Sequence, residues 1–201
     1  MHRVKWKLGM GAMGNAAKHK SNLVQAAIRL FREQGYAATG LNQILAASGA
    51  PKGSLYHYFP GGKEELGATA VALAGGVVTQ TLQTLAKGHH TMTDFVAAYA
   101  DLLAKWLEDS EFRSGCPIAT TLLETVPASE AITKAGRRAF EDWIEVVASV
   151  EERGGVSPAE AKRHAEFTIA AVEGALLLSR VKQSTDPIRM LPHFVASGGR
   201  N

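Results

Sequence analysis

The apolar residues of this chain recur every three or four positions along most of its length, which is the spacing of helices with one buried face. Alternating runs rich in β-branched residues are scarce, so the pattern predicts an all-α protein. Gly35 is expected to end the first helix, because glycine tolerates the left-handed backbone common at helix ends. That helix covers about residues 18–34, with an apolar face of Leu23, Val24, Ala27, Ile28, Leu30 and Phe31.

Residues 39–63 carry two shorter helical patterns, separated by the small residues Ser48-Gly49-Ala50. A helix-turn-helix needs a tight turn of this kind between its helices. The hydroxyl of Thr39 stands where it would cap the first of the two helices. The apolar faces consist of Leu41, Ile44 and Leu45 in the first helix and of Leu55 and Phe59 in the second.

The second short helix is rich in polar side chains for its length. It carries a cation, hydroxyls and an imidazole, which suit a major groove, where polar side chains contact base edges and phosphates. We therefore interpret it as a DNA-recognition helix, with Tyr58 either contacting DNA or packing in the domain core. The polar side chains are those of Lys52, Ser54, Tyr56, His57 and Tyr58.

A long helix is predicted from residue 63 to about residue 86, since Glu64 and Glu65 in its first turn favour the helix dipole. Gly75-Gly76 interrupts the pattern, and each glycine costs about 1 kcal/mol relative to alanine inside a helix. The pair indicates a hinge, a break, or close packing against a neighbouring helix.

Five further helical patterns bring the expected total to about nine helices. The predicted domains are a disordered arm at 1–17, a helix-turn-helix domain at 18–62 and a helical body at 63–201. The later helices are expected at about 92–109, 117–127, 129–152 and 158–181, and from Asp186 onward, where Pro192 bends or shortens the last one.

Charge is distributed unevenly along the 201 residues, whose net charge is +3 and of which 46% are hydrophobic. Residues 1–66 hold nine Lys or Arg against three Asp or Glu, whereas the remainder holds thirteen against sixteen. A basic first third on an acidic body fits contact with a polyanion, although an excess of this size also arises by chance.

No apolar run is long enough to span a membrane. The single cysteine, Cys116, allows no intrachain disulfide and favours a reducing cytoplasm. It precedes a helix start, so it is either a redox-sensing thiol or a plain buried cysteine. His89-His90 has no further ligand at suitable spacing, and no metal or other cofactor is expected.

Residues 23–66 resemble the DNA-binding region of the TetR family of bacterial transcriptional regulators. The resemblance rests on GYAAT, on ASG followed by KGSLYHYF, and on GKEEL. Further along, GCPIATTLLE from Gly115 and EGALLLSR from Glu173 resemble the LmrA/YxaF branch of that family. The resemblance implies a three-helix DNA-binding domain, a linking fourth helix, and a helical body that binds a ligand and dimerises.

Two departures from the family pattern lie at the edges of the recognition helix. Pro51 stands where a capping Ser or Thr is usual, so backbone geometry must hold the helix start. The loop Pro60-Gly61-Gly62 is expected to be one residue longer than in most members, which would shift Lys63 relative to the phosphate it should meet.

The resemblance also implies which residues contact DNA. Gly53 would let the helix N-terminus approach the groove, and Lys63 would add a cation beside another helix N-terminus, itself an anion site. Asn42 either touches DNA or is merely solvated. The expected set is Thr39, Asn42, Gln43, Lys52, Gly53, Ser54, Tyr56, His57, Tyr58 and Lys63.

A second site is expected in the body, where ligand pockets are mostly apolar with a few polar groups. The aromatic candidates fit either a pocket for a small, flat, lipophilic ligand or plain core. The candidates are Phe95, Tyr99, Trp106, Cys116, Leu122, Leu123, Glu124, Phe140, Trp143 and Ile144.

The two C-terminal helical patterns resemble the family's dimer-forming four-helix bundle, with an internal core as the alternative. A dimer would place two recognition helices about one turn of DNA apart, or a multiple of it, as a palindrome requires. The expected interface comprises Phe167, Ile169, Ala170, Gly174, Leu176, Leu178, Ile188, Leu191 and Phe194.

We therefore expect a homodimeric, cytoplasmic repressor that a small lipophilic or aromatic ligand releases from a palindromic operator. Its partners would be double-stranded DNA, a small-molecule effector and a second copy of itself, with no membrane. An enzyme is not expected, because no nucleophile with its base, no paired carboxylates and no phosphate loop stand out. A constitutive architectural DNA-binding protein is the closer alternative.

Overall fold

In the computed structural model, residues 15–51 and 53–197 are described, and the regular elements among them are all α-helices. The predicted all-α class is therefore confirmed. Lys52 and residues 1–14 of the expected arm lie outside the described residues, while residues 15–17 belong to the first helix. The helices are α1 (Asn15–Gln34), α2 (Leu41–Ser48), α3 (Ser54–Tyr58), α4 (Gly62–Gly88), α5 (Met92–Asp109), α6 (Ala119–Thr125), α7 (Glu130–Arg153), α8 (Pro158–Lys182), α9 (Asp186–Arg189) and α10 (Leu191–Ser197).

The chain forms two compact units, each made of separate stretches of the sequence. The first unit contains residues 15–75 and Cys116–Ala139, and the second contains Gly76–Gly115 and residues 140–197. The first half of α4, all of α6 and the start of α7 thus group with the N-terminal helices. None of the described helices has both the length and the apolarity needed to cross a bilayer.

The first unit is built around a hydrophobic core to which α1, α2, α3 and α4 all contribute. Leu66 and Ala70 of α4 belong to this core, so the long helix starts inside the same packing as the helix-turn-helix. Burying one side chain of Leu or Phe size contributes about 1.5–3 kcal/mol. The other large members are Leu23, Val24, Phe31, Ile44, Leu55 and Phe59.

The cap expected at Thr39 is wrong. The N-cap of α2 is Gly40, whose N–H donates to Gln43 Oε1 at 2.8 Å. Thr39 is fully buried instead, and its hydroxyl donates to the Gly35 carbonyl at 2.6 Å. A buried hydroxyl needs a partner, and the end of α1 supplies one before α2 begins.

The glycine pair in α4 does not break the helix, which runs without interruption from Gly62 to Gly88. Gly75 is buried, and a Cβ atom there would lie 2.6 Å from the Cβ of Ala139 on α7. Gly76 is exposed, with no atom within 4 Å of such a Cβ. Close packing against a neighbouring helix therefore accounts for Gly75.

In the second unit, α5 and α8 both pack against α9 and α10. Arg189 of α9 donates to Asp101 of α5 at 2.6 Å, which ties the C-terminal helices to α5. The single bent helix expected after Asp186 is two short helices flanking Met190, with Pro192 in the first turn of α10. Proline is favoured there because its missing N–H would be unsatisfied anyway.

The two glycines of α4 provide a matched pair of substitutions. We predict that Gly75→Ala lowers the free energy of unfolding by about 1–2 kcal/mol, because overpacking against Ala139 outweighs the gain in helix propensity. Gly76→Ala should raise it by up to about 1 kcal/mol, since only the propensity changes. Urea denaturation of both variants checks this, and equal effects would contradict close packing at Gly75.

Candidate DNA-binding interface

The recognition helix α3 is five residues long and starts without a side-chain cap. The Ser54 N–H donates to the Pro51 carbonyl at 2.9 Å, and the Ser54 hydroxyl donates to the same oxygen at 2.7 Å. Backbone hydrogen bonding to Pro51 therefore starts the helix, with Gly53 as its N-cap. This is the outcome expected from proline in place of a capping residue.

The two faces of α3 differ sharply in burial. Leu55 is fully buried, whereas the side chain of Tyr56 is 65% exposed and His57 is exposed beside it. Tyr58 is partly buried and packs against the core, with its ring 4.9 Å from that of His57. Of the described residues on this helix, Tyr56 and His57 are therefore the most available to a DNA groove.

Helix α2 offers fewer side chains for contact with DNA than its sequence predicted. Asn42 and Gln43 are exposed, but Gln43 Oε1 already accepts bonds from the Gly40 N–H and from Gln34 Nε2. Thr39 leaves the candidate set, because its side chain is fully buried and bonded within the unit. Asn42 is then the freest side chain on α2 for contact with DNA.

The loop before α4, Pro60-Gly61-Gly62, has a defined geometry. Gly62 has a φ of +66°, and its N–H donates to the Phe59 carbonyl at 2.9 Å. The Gly61 N–H donates to Glu65 Oε2 at 2.8 Å, so a side chain of α4 holds the loop from the other end. Gly62 thus provides the left-handed residue from which α4 begins.

Lys63 is directed toward the turn formed by Gly35, Tyr36 and Ala37. Its Nζ lies 4.5 Å from the centre of the Tyr36 ring and 3.4 Å from the Ala37 carbonyl oxygen. Burial lowers the pKa of Lys63, while the negative charge of Glu124 acts in the opposite direction. The ammonium group expected at a DNA phosphate is thus partly engaged within the protein.

Glu124 completes this turn from α6. Its Oε2 accepts a hydrogen bond from the Ala37 N–H at 2.6 Å. Tyr36 precedes Ala37 in this turn, and its partial burial, together with the negative charge of Glu64, raises its pKa. Sequence reasoning missed the role of this turn, since no local pattern connects residues 87 positions apart.

Comparison with known proteins identifies this arrangement. Residues 23–68 match the model of the bacterial regulatory proteins of the tetR family, and residues 93–192 match that of the LmrA/YxaF-like C-terminal domain of transcriptional regulators. YxaF of Bacillus subtilis strain 168, a transcriptional regulator of the helix-turn-helix type, is 32% identical over 89% of this chain and 94% of its own. The chain belongs to the TetR family.

A further relative supports the TetR assignment, and a solved structure shares the fold. LmrA of Bacillus subtilis strain 168, also a helix-turn-helix transcriptional regulator, is 34% identical over 84% of this chain and 90% of its own. The crystal structure of a TetR regulator from Legionella pneumophila superposes with a TM-score of 0.79 at 21% identity, covering 94% of this chain and 99% of that one. The family resemblance seen in the sequence is confirmed, and this protein is a DNA-binding transcriptional regulator.

The effector-site candidates of this TetR-family chain belong to two different units. Cys116, Leu122, Leu123 and Glu124 lie in the first unit, and Leu123 is 85% exposed, so it lines no cavity within that unit. Leu122 packs against Gly136 of α7. The candidates in the second unit, buried or partly buried, are Phe95, Tyr99, Trp106, Phe140, Trp143 and Ile144.

The dimer candidates likewise separate by burial. Phe167, Leu178 and Phe194 are 67%, 52% and 66% exposed, and Ala170 and Gly174 are also on the surface. The other four are buried within the second unit, which corresponds to the internal-core alternative. These are Ile169, Leu176, Ile188 and Leu191.

The exposed hydroxyl of Tyr56 generates a direct test of DNA contact. We predict that Tyr56→Phe weakens binding to a duplex selected from a random pool on the wild-type protein by about tenfold, since a hydrogen bond to a charged phosphate is worth about 1.5–3 kcal/mol. Tyr58→Phe, the same chemical change on a partly buried ring, should stay within about twofold. Fluorescence anisotropy measures both affinities; an unaffected Tyr56→Phe variant would remove this residue from the interface.

Proposed function

We propose that this regulator is a homodimeric repressor that leaves a palindromic operator when a small lipophilic or aromatic effector binds its second unit. The observation that carries the proposal is an exposed apolar stripe on α8. Exposed apolar surface is costly in a monomer and commonly marks a protein–protein interface.

The stripe consists of Phe167, Gly174, Leu178 and Val181, whose spacing places them on one side of α8. Phe167, Leu178 and Val181 are 67%, 52% and 75% exposed. No atom lies within 4 Å of a Cβ built on Gly174, so a second helix has room to approach closely. This combination of small and large apolar residues supports dimerisation through α8, and Phe194 of α10 adds to it.

A dimer would bring two of the short recognition helices to the DNA. One α3 helix presents few side chains to DNA, whereas two helices related by a twofold axis contact both half-sites of a palindrome. The basic residues of the N-terminal third would add contacts with phosphates that carry no sequence information. The dimer is thus proposed to provide both the affinity and the spacing.

The effector site is proposed among the aromatic residues of α5 and α7 in the second unit. Phe95, Tyr99 and Trp143 are buried there, and the rings of Phe140 and Trp143 contact edge to face at 5.0 Å. An effector bound among these side chains would shift α4, which runs from the second unit into the first. A coupling of about 1–3 kcal/mol between the two sites is typical and would control operator occupancy.

Footprinting around the protein's own gene tests this function. The expected result is a discrete protected palindrome that disappears when a compound from a panel of small aromatic molecules binds the protein. Uniform coverage of the DNA would instead favour a constitutive architectural protein. Protection that persists while Trp fluorescence shows the compound bound would contradict release by an effector.

The α8 stripe generates a prediction about assembly. We expect Leu178→Glu to convert the dimer to a monomer and to weaken binding to the selected duplex at least tenfold, because a buried charge is costly at an apolar interface. Leu123→Glu, an equally polar change at an 85% exposed residue of α6, should leave the dimer intact. Sedimentation velocity distinguishes the two; a Leu178→Glu dimer would exclude this face as the interface.

A further inference from the structure

A single carboxylate joins α6 to the turn that precedes the helix-turn-helix. Glu124 lies in the last turn of α6, and its Oε2 is 2.6 Å from the amide nitrogen of Ala37. Hydrogen bonds to a charged acceptor are roughly twice as strong as those between neutral groups. The turn is therefore fastened to α6 as well as to the end of α1.

Gly35 leaves room for this carboxylate. Its φ of +91° is a backbone conformation that side chains rarely adopt. A Cβ atom at this position would also overlap Oε1 of Glu124. The glycine thus serves both the end of α1 and the approach of Glu124, which indicates that the contact is built into the fold.

Lys63 holds the other polar side of the same turn. Its Nζ is 3.4 Å from the Ala37 carbonyl oxygen, while Glu124 holds the Ala37 N–H. The Tyr36 ring lies beneath the ammonium group at 4.5 Å, in cation–π geometry. The backbone N–H and carbonyl of Ala37 are therefore both hydrogen-bonded, the N–H to an acidic residue of α6 and the carbonyl to a basic residue of α4.

The position of this turn determines where α2 begins. The Thr39 N–H donates to the Tyr36 carbonyl at 3.1 Å, and its hydroxyl donates to the Gly35 carbonyl at 2.6 Å. The first residue of α2, Leu41, follows two positions later. A displacement of the turn therefore displaces the start of the helix-turn-helix.

The role of this contact follows from the position of α6 in the chain. The chain passes from the second unit to the first between Gly115 and Cys116, just before α6. We propose that Glu124 is a positioning residue, which transmits movement of α6 to the DNA-reading helices through its bond to the Ala37 N–H. The proposal rests on the proposed function only for the effector as the origin of that movement.

Substitutions at Glu124 test the bond without any effector. Glu124→Gln retains an acceptor oxygen at the same reach, Glu124→Asp retains the charge but is one methylene shorter, and Glu124→Ala retains neither. Glu33→Gln is the control, since it removes one negative charge from α1 at an exposed residue that pairs with Arg29 one helical turn away. All are compared with wild type on the duplex selected from a random pool.

The sign of the effect on DNA affinity is decisive. Removal of an acidic residue should by itself tighten binding to a polyanion, and Glu33→Gln is expected to bind as well as wild type or better. We expect Glu124→Ala and Glu124→Asp to bind at least fivefold more weakly, and Glu124→Gln to stay within about twofold. A Glu124→Ala variant that binds as well as wild type, or a Glu124→Asp variant that binds normally while Glu124→Gln does not, would overturn the proposal.

Amide hydrogen exchange at Ala37, measured by NMR on the free protein, provides a readout independent of DNA. Exchange should be at least tenfold faster in Glu124→Ala than in wild type or Glu33→Gln, with Glu124→Gln close to wild type. Equal exchange in all four proteins would refute the bond. A wild-type protein that selects no duplex would refute the proposed function instead, while the exchange measurement would still decide the bond.

Discussion

The recognition helix is stable only because neighbouring helices bury its apolar face. Isolated helices shorter than about 12–15 residues are marginal in water, and α3 has five residues and no side-chain cap. Leu55 is completely buried and Phe59, directly after the helix, is 1% exposed, both in the core shared with α1 and α4. The placement of Tyr56 and His57 toward solvent is a consequence of that packing. Contact with DNA therefore depends on the core of the first unit.

Because the same core includes the start of α4, the DNA-reading helices are not separable from the chain that follows them. Parts of α4 and α7, together with α6, group with the helix-turn-helix, while the aromatic residues of α5 lie in the second unit. Within the described residues, the chain passes between the units in α4, before α6 and within α7. Any signal from an effector in the second unit would have to travel through one of these segments. Of these segments, the start of α4 packs in the core shared with α2, and α6 contacts the turn before α2 through the bond between Glu124 and Ala37.

Helices were predictable because their signal is local. The pattern at residues 92–109 predicts the observed α5, Met92–Asp109, and small or capping residues predict most other ends to within a few positions. Thr39 was misassigned for an equally local reason, since a threonine before a helix can either cap it or bond backward to a carbonyl. Local sequence does not decide between these two, and burial favoured the bond to Gly35.

The sites were less predictable because their contacts are distant in sequence. The apolar residues on α8 surround most of the helix, so periodicity could not decide that Ile169 and Leu176 face the core while Phe167 and Leu178 face outward. Glu124 stood among apolar residues and was therefore taken for the polar group of a pocket. Only the fold brings its carboxylate to the N–H of Ala37.

Native mass spectrometry of the wild-type protein with the selected duplex tests the central claim most directly. The account predicts two chains per palindromic duplex, and loss of that complex when a small aromatic compound is retained by the free protein. A complex of one chain per duplex, or a two-chain complex that persists with the compound bound to it, would contradict the account.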